Sequence, residues 1–215
     1  KTKPTQHASR TLNEAGIQAD FIVARGPQVL DKPRCDKLST FCNVDDGYAI
    51  SAPDVETIYE VPLVLEQEEF SSKMLKRLNL KSKKKDLESW RTFVKRIKAL
   101  NKELSIAVVG KYFGTGDYTL SDSYISVIEA IKHACWSEGV KPVLTWVNSE
   151  QFEQDPASLG TLSNYKGIIV PGGFGERGIE GIIMAIHYAR EHIIPYLGLC
   201  YGMQLACVEF ARNVV

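Results

Sequence analysis

Cys200 is the residue of this chain whose surroundings point most directly to chemistry. It lies in Tyr196-Leu197-Gly198-Leu199-Cys200-Tyr201-Gly202-Met203-Gln204. The stretch 195–199 (PYLGL) is apolar and reads as a buried strand, and 201–213 reads as a helix. A nucleophile at a sharp strand-to-helix turn, with glycine two residues before and two after, is the elbow arrangement with Cys in place of Ser. Small flanking residues are needed because the turn is strained and passes close to its neighbours. The following helix aims its N-terminal N–H groups at the sulfur, and that field favours the thiolate, the reactive form.

A second element completes the logic. Residues 165–170 (YKGIIV) read as a strand running into Pro171-Gly172-Gly173-Phe174-Gly175. A glycine-rich loop at the carboxyl end of a neighbouring strand brings backbone N–H groups to a substrate carbonyl. An N–H of that loop and that of Tyr201 would together form an oxyanion hole for a tetrahedral intermediate. The two motifs in succession are more specific than either alone. The remaining cysteines, at 35, 42, 135 and 207, read as small buried residues. An odd count without Cys-x-x-Cys argues against a disulfide framework or a zinc site and fits a reducing, cytoplasmic setting.

A Cys nucleophile needs a base, usually His oriented by a carboxylate. None of His7, His133, His187 and His192 qualifies. His133 precedes the elbow by a long stretch, and His187 and His192 close the helix before the nucleophile strand, at its amino end. Gly110 to Gly116 (GKYFGTG) lacks the phosphate-loop ending and reads as a substrate- or interface-facing loop.

The elements that position these residues follow from periodicity. Strands are expected at 105–109, 142–147, 165–170 and 195–199, and helices at 122–136, 179–192 and 201–213. Apolar strands alternating with helices predict a doubly wound parallel sheet, an α/β fold with Cys200 at its carboxyl edge. Before it, a helix is expected over 6–15, a strand over 19–24, a helix over 33–41 and a strand over 48–51, which read as the tail of another α/β domain. Residues 61–101 change character: Glu and Lys dominate, and Phe70, Met74, Leu75, Leu78, Trp90, Phe93, Ile97 and Leu100 are spaced for helices on a partner surface. The division is thus 1–60, a helical connector over 61–101, and 102–215.

With 44% apolar and 24% charged residues and zero net charge, the composition is that of a globular protein. It excludes a strongly electrostatic binder of nucleic acid or membrane surfaces. The KSKKKD run (81–86) reads as a solvated turn. No apolar run approaches membrane-spanning length, and no signal peptide is visible. A start at Lys1 rather than Met, and an end at Val214-Val215 within a helical pattern, read as cut ends of a longer chain.

PGGFGERGIEG and YLGLCYGMQ resemble class I glutamine amidotransferases. The opening KTKPTQH, CDKLSTFCNV (35–44) and the approach to GKY (110–112) narrow the resemblance to the CTP synthase family, end to end. The resemblance implies the closing half of a P-loop-like synthetase domain followed by the opening half of a flavodoxin-like amidotransferase domain. It implies ATP-dependent amination of UTP to CTP, with ammonia from glutamine hydrolysed through a Cys-His-Glu triad. GTP would be the allosteric activator, CTP a feedback inhibitor and Mg²⁺ the nucleotides' companion, in a homotetramer able to form filaments. Residue by residue, Lys1, Thr2, Lys3, Pro4, Thr5 and Gln6, with Arg25 and Lys37, match the UTP/CTP contacts. Pro53, Asp54 and Val55 match the ATP stretch. Gly173, Tyr201, Gly202, Met203 and Gln204 match the glutamine site, and Arg177, Gly178 and Glu180 the GTP-activation loop. The family's phosphate loop and Mg²⁺ carboxylates would precede Lys1, and the triad His and Glu would follow Val215, leaving this chain inactive alone. Plainer readings stand beside these: a solvated Lys-Thr-Lys start, Arg25 as a surface cation, Arg177 and Glu180 paired with each other. Rival functions are another class I amidotransferase, or a non-catalytic redox-sensing or filament-forming unit built around Cys200.

Overall fold

The computed structural model describes residues 2–83, 86–111, 114–115, 118–119, 124–173 and 175–215. The chain divides into two compact units, Lys1–Arg96 and Ile97–Val215. Among the described residues no helix is long and apolar enough to cross a membrane.

In the first unit α1 (Lys3–Glu14) opens with Pro4, whose missing N–H costs nothing in a first turn. The chain then turns through Gly16, whose N–H reaches the Asn13 carbonyl at 2.9 Å. Strands β1 (Ile22–Gly26) and β2 (Ala49–Pro53) pair in parallel. Between them α2 (Lys32–Cys42) is capped by the Asp31 carboxylate, which accepts from the Arg34 N–H at 2.9 Å. It buries Leu38 and Cys42 against Ala49, with Ile22, Ala24, Leu30 and Cys35 packed around them. A short 3₁₀ turn (Ile58–Glu60) leads into α3 (Val61–Gln67) and α4 (Phe70–Arg77), and α5 (Glu88–Lys98) spans the division between the units. Trp90 and Phe93, expected on a partner surface, pack their rings on Tyr59, and the Trp90 indole donates to the Tyr59 carbonyl at 2.8 Å.

One expectation here is corrected. The strand read over 19–24 lies at Ile22–Gly26. Asp20 is engaged by Arg77 of α4 at 2.5 Å, and Phe21 stacks on Tyr48 with ring centroids 4.6 Å apart. Pairing with β2 begins only at Ile22, opposite Ala49.

The second unit holds the expected parallel sheet. Its strands are β3 (Glu103–Gly110), β6 (Lys141–Asn148), β7 (Gly167–Val170) and β8 (Tyr196–Gly198), in the order β6-β3-β7-β8. A two-residue hairpin, β4 (Gly114–Thr115) with β5 (Tyr118–Thr119), follows β3. Alternate residues of β3 face opposite layers, as the strand period of two requires. Ala107 and Val109 join Val147, Ile168 and Val170 under α7 (Glu150–Gln154), α8 (Ile179–Glu191) and α9 (Tyr201–Asn213). Ile106 and Val108 join Ile169 under α6 (Ile125–Ser137). The sheet is therefore wound on both faces. Its order reverses between β3 and β7, and ligands of such sheets bind at the carboxyl ends beside that reversal. The start expected for α6 at Asp122 lies outside the described residues. Neither α7 nor the 3₁₀ stretch Pro156–Asn164 was expected, because neither has apolar periodicity; the 3₁₀ stretch is capped by Asp155, which accepts from the Ala157 N–H, and the N–H that opens α7 donates to Asn148 Oδ1 at 3.1 Å.

A buried carboxylate clamps α8 to α9. Glu209 is 1% exposed. It accepts from Arg190 Nε and Nη2 at 3.1 and 3.0 Å and from Asn213 Nδ2 at 3.2 Å, and meets His187 Nδ1 at 2.8 Å. The Arg190 hydrogen bonds, aided by His187, hold its carboxyl below the usual value of 4.5 against the opposing effect of burial. The folded state then binds fewer protons than the unfolded one. The stabilisation is present above that usual value and fades as pH falls through the lower folded value. Arg190→Met, which strands the carboxylate, is expected to lower the urea midpoint at neutral pH. The deficit should shrink on acidification as the carboxyl becomes protonated; a pH-independent deficit would disprove the clamp.

Candidate active site

Cys200 sits between β8 and α9 with φ 51° and ψ −104°, outside the regions that L-residues favour. A conformation of this kind costs on the order of 1–3 kcal/mol and persists only where surrounding structure over-determines it. Two close approaches do so. A Cβ on Gly202 would lie 2.3 Å from the Val170 carbonyl oxygen, and one on Gly198 would lie 2.5 Å from the Gly202 carbonyl carbon. The same Val170 oxygen accepts the Leu199 N–H at 2.9 Å, and the Tyr196 hydroxyl donates to the Gly202 carbonyl at 2.8 Å. Burial pushes the Tyr196 phenol up, so it stays a neutral donor. The outcome is a cysteine lifted out of the sheet with its side chain exposed.

The loop after β7 lies directly against this cysteine: a Cβ on Gly172 would be 3.6 Å from Cys200 Cβ. The Gly172 carbonyl is held by the Tyr124 hydroxyl at 3.1 Å. Among the described residues, no group accepts from the N–H of Gly173 or of Tyr201. Backbone N–H groups that converge beside an exposed thiol can receive the oxygen of a carbonyl attacked by the sulfur. Met203 and Gln204 stand exposed in the first turn of α9, and the Gln204 N–H reaches the Cys200 carbonyl at 3.1 Å. Phe174 lies outside the described residues.

Lys111, which the sequence reading passed over as part of a loop of low specificity, belongs to this edge. It follows β3 directly and is 5% exposed. Its ammonium donates to the Gly175 carbonyl and lies 5.2 Å from the centre of the Tyr201 ring. The Tyr201 hydroxyl reaches the same carbonyl at 3.4 Å. Desolvation, and next the charge of Arg177, push the Lys111 ammonium down from its usual range; Glu150 and Glu153 oppose this. The signal available in the sequence was a lysine directly after an apolar strand ending in glycine.

Arg177 and Glu180 do not pair with each other. Arg177 pairs with Glu150, while Arg212 Nη1 donates to both Glu180 carboxylate oxygens at 3.0 and 2.9 Å. Gly178 is buried at the start of α8 with φ 71°. The histidines of this unit are placed away from the sulfur. His187 is in the Glu209 clamp, and Glu209 stands nine residues along α9 from Cys200, about 13 Å at 1.5 Å per residue. His192 stacks on Tyr188 beyond the end of α8, and His133 packs on Trp136 within α6.

In the first unit, Thr2, Thr5 and Arg25 line a cavity of about 370 Å³ formed with residues 23–30, Arg34 and Leu38. Lys3, Pro4 and Lys37 are exposed outside that lining, and Gln6 donates to the Thr2 hydroxyl at 3.1 Å. Lys1 lies outside the described residues. Pro53, Asp54 and Val55 leave the carboxyl end of β2 beside Arg25, whose guanidinium meets Asp54 at 3.4 Å. Arg25 and the Pro53 to Val55 stretch thus share one sheet edge. Among the described residues no cluster of His, Cys, Asp or Glu is placed to hold a metal ion.

Comparison with known proteins matches residues 1–80 to the CTP synthase N-terminus model and 119–215 to the class-I glutamine amidotransferase model. Over the full chain it is 49% identical to the CTP synthase of Thermococcus gammatolerans, 48% to that of Sulfurisphaera tokodaii and 50% to that of Saccharolobus solfataricus. It spans about two fifths of their length, 39%, 40% and 40% respectively. A solved structure of the Trypanosoma brucei CTPS glutaminase domain with bound acivicin aligns with a TM-score of 0.47 at 38% identity, covering 52% of this chain and 41% of that one. Other class I amidotransferases would account for the second match but not for the first, and the identities extend through both units; the chain belongs to the CTP synthase family.

Proposed function

We propose that the protein of which these residues form part converts UTP to CTP at the expense of ATP, and that the second unit frees the required ammonia from glutamine. The observation that carries the glutaminase half is the strained, exposed Cys200 with the Gly172-Gly173 loop against it. The thiolate attacks the amide carbon, and the C=O electrons move onto oxygen. The N–H groups of Gly173 and Tyr201 receive that oxyanion, while Met203 and Gln204 bound the glutamine. Collapse expels ammonia once a general acid protonates the leaving nitrogen, and water then cleaves the thioester. The acid–base partner, a His with its carboxylate, is assigned to residues outside this chain, because the histidines of this unit are held elsewhere. This chain alone is therefore expected to be inactive.

In the first unit Lys1, Thr2, Lys3, Pro4, Thr5, Gln6, Arg25 and Lys37 hold the UTP or CTP phosphates, and Pro53, Asp54 and Val55 hold ATP. Ammonium and guanidinium groups with nearby hydroxyls suit phosphate oxygens. Mg²⁺ is assigned to carboxylates outside this chain. Arg177, Gly178 and Glu180 carry the GTP response, and binding there would have to compete with the Glu150 and Arg212 pairs. The whole enzyme acts in the cytoplasm as a homotetramer able to form filaments, and uses neither nucleic acid nor a membrane as partner.

Two measurements on the full-length enzyme test this. Cys200→Ala is expected to cut glutamine-dependent CTP formation by at least about a thousandfold, as loss of a nucleophile does, while ammonia-dependent formation survives. Equal loss of both rates would make Cys200 structural. Lys3→Ala is expected to weaken UTP binding and CTP inhibition by about 10- to 150-fold, the effect of losing one charge-assisted phosphate contact. Unchanged UTP affinity would leave the opening run as a solvated segment.

A further inference from the structure

Lys111 carries the inference. A buried ammonium is costly to keep unless its surroundings compensate it, and two of the contacts that Lys111 makes lie at the Cys200 site. Its Nζ donates to the Gly175 carbonyl, and its charge faces the Tyr201 ring at 5.2 Å. Tyr201 reaches the same carbonyl through its hydroxyl at 3.4 Å. Gly175 closes the loop that carries Gly172 and Gly173, and Tyr201 opens α9 directly after Cys200. Lys111 itself leaves the carboxyl end of β3, which neighbours β7 at the point where strand order reverses. One side chain, anchored to the rigid centre of the sheet, therefore touches both segments that supply N–H groups to the oxyanion.

We propose that Lys111 is a positioning residue of the glutaminase site, holding the loop to Gly175 against the start of α9 so that the Gly173 and Tyr201 N–H groups converge on one point beside the Cys200 sulfur. This rests on the glutaminase reading of Cys200. The ammonium does not touch glutamine; it acts through the Gly175 carbonyl and the Tyr201 ring. Attack on an amide develops an oxyanion and needs that convergence. Alkylation of the same thiolate by iodoacetamide is a displacement at an sp³ carbon, which develops no oxyanion and does not need it.

The test uses the full-length enzyme with Lys111→Met and Lys111→Arg, each rate normalised to ammonia-dependent CTP synthesis in the same preparation as a measure of folded protein. In Lys111→Met, kcat for glutamine hydrolysis is expected to fall by roughly 10- to 100-fold, less than the loss of a whole oxyanion donor. The rate of Cys200 alkylation by iodoacetamide is expected to stay near that of the parent. Lys111→Arg, which keeps a buried cation and donor, is expected to recover part of the lost kcat. The proposal is overturned if hydrolysis is unchanged in Lys111→Met, if alkylation falls in step with hydrolysis, or if Lys111→Arg is no better than Lys111→Met. Failure of the unmutated enzyme to hydrolyse glutamine would overturn the glutaminase reading and this inference together, and so is distinguishable from a failure confined to Lys111.

Discussion

Gly202 lets the first turn of α9 press against the Val170 carbonyl, and that contact sets the geometry of the whole sheet edge. With the helix seated so closely and the Leu199 N–H, just after β8, bonded to the same carbonyl, the connection between strand and helix is too short to pass through relaxed backbone. Cys200 takes up the difference at φ 51°. The strain is offset by the packing of α9, through Leu205, on the layer formed by Ile168, Val170 and Ile182. A nucleophile held this way does not search for its position, and its exposure follows from the turn rather than from a loop.

The doubly wound sheet turns that local device into a site. Because β3 and β7 are neighbours and their connections leave toward opposite faces, the loops after them diverge and open a crevice at their carboxyl ends. Lys111 enters from one side and the Gly172-Gly173 loop from the other, and β8 delivers Cys200 next to that loop. The three segments come from distant stretches of sequence, and parallel pairing alone puts all three at one edge. The two strands of the first unit obey the same geometry, with Arg25 and Asp54 emerging side by side from β1 and β2.

The strands of the second unit were legible because they are apolar runs, two of which, β3 and β7, end at Gly110 and before Pro171. The elbow was legible because a strained turn pressed against its neighbours demands a residue without a side chain on both sides of the nucleophile. What could not be read was whatever depends on a partner far along the chain. The strand at Ile22–Gly26 was displaced by the grip of Arg77 and Tyr48 on Asp20 and Phe21, residues that by composition alone extend the run. The 3₁₀ stretch after α7 rests on an Asp155 cap rather than on periodicity. Arg177 and Glu180 look like natural partners at a spacing of three, yet each is taken by a residue of another helix, Glu150 and Arg212. Lys111 followed an apolar strand ending in glycine, but its burial and its carbonyl partner exist only in three dimensions.

The two ends of α9 show how one helix separates chemistry from stability. At its start Cys200 stands exposed, and packing is tight enough to hold strained backbone. Nine residues on, Glu209 is buried among Arg190, His187 and Asn213, an arrangement that by residue types alone resembles half of a catalytic triad. Distance denies it that role, since the rise of the helix puts it about 13 Å from the nucleophile. Chemistry denies it too. The Glu209 carboxylate is committed to a guanidinium, and the His187 nitrogen that would need to be oriented by it also lies 3.1 Å from Arg190 Nη2. The cluster therefore locks α8 to α9, and that lock keeps the far end of the helix, and with it the elbow, in register.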